Sequence, residues 1–150
     1  PEGPYGIAVG ALSKHLYIAD TDNSRIQVFD RDGGFVRSFG EGIVIQPRQV
    51  CLDSRENLYT AGFHTAPEMV VGAKVPWPEV RFLWILDRDG RLLLRVGAKE
   101  ADDLAQTIGE PKGLFDHGGG RHHCVTLSGA DESLLYFQSG HVILKCRIHW

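Results

Sequence analysis

The stretch LYIADTDNSRIQVFDRDGGFVRSFG, residues 16–40, decides the fold class. Apolar residues alternate with other residues at period two, which is typical of strands with one buried face. The alternating runs are 16–18 and 26–28, and Phe35, Val36 and Phe39 form the next apolar run. The polar cluster at 20–24 and the DRDG sequence at 30–33 separate these runs, and both are typical of tight turns. Together with the apolar run IAV at 7–9, the stretch predicts a four-stranded antiparallel meander.

The same pattern recurs along the chain at a spacing of about 40 residues. The segments PYGIAV, LYIA and FDRDG of the first copy return as PRQVCL, LYTA and LDRDG in the second. A weaker third copy begins at Pro111. Self-similarity of this length, with four strands in each copy, is typical of β-propeller blades. The sequence therefore predicts one all-β domain over residues 1–150, with blades at about 4–40, 47–97 and 111–150.

The first copy resembles an NHL repeat, the unit of a family of β-propellers. The resemblance rests on P-x-G-I-A-V, on LYIAD with Asp20, Asn23 and Arg25, and on the Asp-x-x-Gly hairpin. The second copy lacks the Asp-x-x-Asn-x-Arg centre, and the third keeps Pro111, Gly113 and the strand spacing. The resemblance implies that the polar residues of the first copy mostly hold adjacent strands and blades together.

Three blades do not close a ring, since propellers have about four to eight blades of four strands each. Three interpretations stay open: a piece of a longer propeller, a chain that associates with another to complete a ring, and an open array. An open array would leave sheet edges unprotected, which is an aggregation hazard. The sequence favours the first interpretation.

The composition is that of a soluble globular domain, with 43% apolar and 23% charged residues. The net charge of −3 and the absence of a basic stripe argue against a nucleic-acid partner, although RNA binding is known among NHL propellers. Apolar runs are far shorter than the roughly 20 residues of a membrane-spanning helix. The three cysteines have no paired spacing, which predicts reduced thiols and favours a cytoplasmic location.

An insertion, FHTAPEMVVGAKVPWPEVR at residues 63–81, interrupts the second copy. Long connections within a compact domain are usually functional or disordered, and aromatic and Met side chains are enriched at interfaces. The alternative is a loop that folds back over the blade and buries Trp77. We interpret the chain as a rigid propeller platform that binds another protein. The predicted contact residues are Trp77, Met69, Pro76, Arg48 and Tyr59.

A second candidate segment is FDHGGGRHHC, residues 115–124. Its His117, His122 and His123 are residue types that ligate divalent metals, but their spacing matches no standard zinc motif. Loop histidines without a bound metal are the favoured interpretation, so no cofactor is predicted. The alternative function is a metal-dependent propeller enzyme, a lyase or hydrolase, whose histidine-lined channel holds zinc or calcium.

Overall fold

A computed structural model of the chain describes residues 3–65, 79–96, 123–128, 134–139 and 142–147. Every regular element in these ranges is a β-strand, which confirms the all-β prediction. No helix in the described ranges is long and apolar enough to cross a membrane. The strands are β1 (Ile7–Val9), β2 (Leu16–Asp20), β3 (Arg25–Phe29), β4 (Phe35–Phe39), β5 (Pro47–Leu52), β6 (Leu58–Thr65), β7 (Glu79–Leu86), β8 (Leu92–Val96), β9 (His123–Ser128), β10 (Leu134–Ser139) and β11 (Val142–Arg147).

The strands form three antiparallel meanders, in which each strand pairs with its neighbours in sequence. The first sheet has the order β1-β2-β3-β4, and the second has the order β5-β6-β7-β8. The third sheet has three strands in the described ranges, in the order β9-β10-β11. Antiparallel sheets of this kind confirm the predicted fold class, and the predicted repeat boundaries stay a prediction. The predicted start of the third repeat, at Pro111, lies outside the described residues.

The main core lies between the first and second sheets, where one face of each packs against the other. Period-two alternation places the buried side chains of each strand on one face, and in β2 this face carries Tyr17 and Ala19, not the Leu16 and Ile18 of the sequence pattern. On the first sheet these side chains are Tyr17, Ala19, Ile26, Val28 and Phe39, and on the second they are Val50, Leu58, Trp84 and Leu86. Val44, from the connection between the sheets, completes the cluster.

A second core lies between the second and third sheets, so that the second sheet is covered on both faces. Tyr59, Leu83 and Ile85 of the second sheet pack there with Val125 and Leu135 of the third. Strand β9 packs on β5 and β6, just as β5 packs on β1 and β2. The three sheets are therefore stacked in chain order, which is how blades follow one another in a propeller.

A buried carboxylate joins the first sheet to the second at one end of their strands, where the β1–β2 and β5–β6 turns meet. Glu56, in the β5–β6 turn, is 1% exposed. Its Oε1 accepts hydrogen bonds from the backbone N–H groups of Leu12 (2.8 Å) and Ser13 (2.6 Å), in the β1–β2 turn. Its Oε2 accepts one from the Tyr17 hydroxyl at 3.4 Å. Burial raises the pKa of Glu56, but these hydrogen bonds outweigh burial and hold the pKa below its ordinary value.

We expect the Glu56 contact to make stability depend on pH in the acid range. Because the folded-state pKa lies below the ordinary value of 4.5, the contribution is complete above that pH and is lost as pH falls through the folded value. Glu56→Gln should cost about 1–3 kcal/mol at pH 7, and the cost should shrink toward about pH 3. Urea unfolding at a series of pH values measures both quantities. A cost that does not change with pH would contradict this assignment.

Candidate interaction surface

The turns of the first two sheets lie at two opposite ends, because consecutive strands of a meander run in opposite directions. One end carries the β2–β3 turn (21–24), the β4–β5 connection (40–46) and the last described pair of β6 and β7, Thr65–Glu79. We call this end the hairpin end. The opposite end carries the remaining turns, including the two that Glu56 joins.

Backbone and side-chain contacts hold the two sheets together at the hairpin end. The Thr21 hydroxyl donates to the Pro47 carbonyl at 2.6 Å, and the Gln46 N–H donates to the Ser24 hydroxyl at 3.2 Å. Gly62, at the base of the β6–β7 hairpin, lies directly against the carbonyl groups of Ile45 and Gln46, where a Cβ would not fit. These contacts link the β2–β3 turn, the β4–β5 connection and Gly62 of β6. We call this linked part of the hairpin end its base.

A polar network around Asp20 orders the adjoining part of the hairpin end. One carboxylate oxygen accepts a hydrogen bond from Asn23 Nδ2 at 2.8 Å. The other accepts from Arg25 Nε at 2.8 Å and from Gln27 Nε2. Burial raises the pKa of Asp20, but the hydrogen bonds from Arg25, Gln27 and Asn23 outweigh it and leave the pKa lowered. Arg25 also lies 3.9 Å from Glu41. The network therefore joins β2 to β3, which agrees with the strand-holding role that the NHL resemblance implies.

The β6–β7 hairpin extends farther than its counterpart in the first sheet. The pair Gly62–Phe82 corresponds in register to Asp20–Arg25, the last pair of β2 and β3. Three further pairs follow in the second sheet, and they end at Thr65–Glu79. At about 3.4 Å per residue, they carry the hairpin about 10 Å beyond that level. The first and last three residues of the predicted 63–81 insertion are thus paired strand residues.

The predicted contact residues fall into two groups. Trp77, Met69 and Pro76 lie outside the described residues, in the segment that connects Thr65 to Glu79. Arg48 and Tyr59 are described, and both are buried. The Arg48 guanidinium stacks over the Tyr5 ring, 4.5 Å from its centroid, and the Tyr59 hydroxyl donates to Asp53 Oδ2 at 3.3 Å. Both side chains therefore support the strands from within.

The predicted metal site is only partly within the described ranges. His117 and His122 lie outside them, and His123 begins β9, where its backbone alone is described. Among the described residues, no group of three His, Cys, Asp or Glu side chains is placed to hold a metal ion. The metal assignment for the three histidines stays a prediction.

The aspartates of the other hairpin loops have structural partners. Asp30 Oδ1 accepts from the N–H groups of Asp32 (2.9 Å) and Gly34 (2.7 Å). Asp87 Oδ1 accepts in the same way from the N–H groups of Asp89 (2.9 Å) and Arg91 (2.8 Å). Asp53 makes the equivalent pair of bonds in the β5–β6 turn. Three loops thus repeat one turn motif, and the two Asp-Arg-Asp-Gly sequences use their first carboxylate to stabilise the turn.

Comparison with known protein families supports the resemblance of the first copy to an NHL repeat. The family model of the NHL repeat matches residues 3–29, which include β1, β2 and β3. This match confirms the resemblance for the first repeat. A comparison with curated proteins gives no match. Because an NHL repeat forms most of the first sheet and the sheets stack face to face in chain order, the chain is a propeller-type module.

We expect Gly62→Ala to weaken the base of the hairpin end. The added Cβ would lie 2.6 Å from the Gln46 carbonyl oxygen, and backbone would have to move to accept it. The expected loss of unfolding free energy is about 1–3 kcal/mol. Gly3→Ala is the matched control, because a Cβ there meets no atom within 4 Å. Equal unfolding free energies for the two variants, measured in urea, would contradict the close approach.

We also expect Asp20 to contribute more to stability than its neighbour Asp22. Asp20→Asn replaces an acceptor of three side-chain hydrogen bonds, which should cost about 1–3 kcal/mol at pH 7. Asp22→Asn makes the same change of charge on an exposed side chain of the same turn, and it should cost less than about 0.5 kcal/mol. Urea unfolding of both variants compares the two. A similar cost for both would show that charge alone, and not the network, matters.

Proposed function

We propose that this chain is a rigid protein-binding module that presents its hairpin end to a protein partner. The observation that carries the proposal is the pairing of β6 with β7 as far as Thr65–Glu79. This pairing anchors both ends of the inserted segment beyond the level at which the first sheet ends. A scaffold of stacked sheets with one extended hairpin is well suited to recognition, because strands fix the base and the insertion varies the contact.

The hydrogen-bonded, fixed geometry of the base supports a role in binding a protein partner. Partners held in a fixed geometry lose less conformational entropy on binding than flexible ones do. The hydrogen bonds of Thr21 and Ser24, the close approach at Gly62 and the Asp20 network all act within the same end of the molecule. An approaching protein would therefore meet a base that is already ordered.

We assign the direct contacts to Trp77, Met69 and Pro76, which the sequence places between Thr65 and Glu79. A Trp side chain supplies a large apolar contact area with few rotatable bonds, and Trp is enriched among residues that dominate binding free energy. Met69 adds an adaptable apolar side chain, and Pro76 restricts the backbone before the ring. Arg48 is buried on β5 next to Pro47, near the hairpin end, whereas Tyr59 bonds Asp53 in the β5–β6 turn at the opposite end, so we assign no direct contact to either side chain.

The proposal is tested by quantitative affinity capture with the purified chain as bait. Proteins that bind through the hairpin end should be retained about tenfold less well by Trp77→Ala, because an aromatic anchor is lost. Leu93→Ala truncates an exposed apolar side chain on β8, outside the hairpin end, and it should leave retention unchanged. Urea unfolding of both variants should show that folding is intact.

Two results would contradict the proposal. The first is that capture by Trp77→Ala equals capture by the wild type. The second is one bound zinc or calcium ion per chain, measured on the purified protein, together with its loss in His122→Ala. That second result would favour the metal-dependent enzyme and would place function in residues 115–124.

A further inference from the structure

We draw no further inference here: the strongest candidate, the open edge of the second sheet along β8, where Leu92, Leu93 and Leu94 are 46%, 47% and 49% exposed, carries nothing because nothing in the described part of the chain shows what covers it.

Discussion

The packing of one sheet face on the next is the constraint on which the rest of this structure depends. A small sheet needs an apolar face that is removed from water to be stable, and here each sheet buries a face against a neighbour. The first contact is fixed at both ends. Glu56 joins the turns at one end, and the bonds of Thr21 and Ser24 join the hairpin end. The position of the extended β6–β7 hairpin follows from this arrangement.

Strands and tight turns could be predicted from the sequence, because interactions between residues close in sequence determine them. Alternation in residues 16–40 gives strands β2, β3 and β4, and the Asp-Arg-Asp-Gly loops form the turns that the sequence indicates. The role of Glu56 could not be predicted, because SREN at 54–57 has the composition of an exposed turn and its partners lie 39 to 44 residues away in sequence. Burial of Tyr59 follows from the repeat of LYIA as LYTA only once the burial of Tyr17 is known, because alternation in the sequence indicates Leu16 and Ile18 instead.

Repetition with local change accounts for the proposed function. The β6–β7 hairpin departs from β2–β3 by three added residue pairs, and this departure gives the second sheet a projecting element. A repeat pattern in sequence shows that sheets will stack. Which faces stay exposed depends on the register between strands, and only the structure provides that register.

The stacked order of the sheets is tested most directly by native-state hydrogen exchange of the backbone amides. Because the second sheet is covered on both faces, its paired amides in β5, β6 and β7 should exchange most slowly, by local opening that approaches global unfolding. Paired amides of the first and third sheets, each covered by a neighbouring sheet on one face in the described ranges, should exchange faster. Equal protection in all three sheets, or greatest protection in the first, would contradict the stacked arrangement.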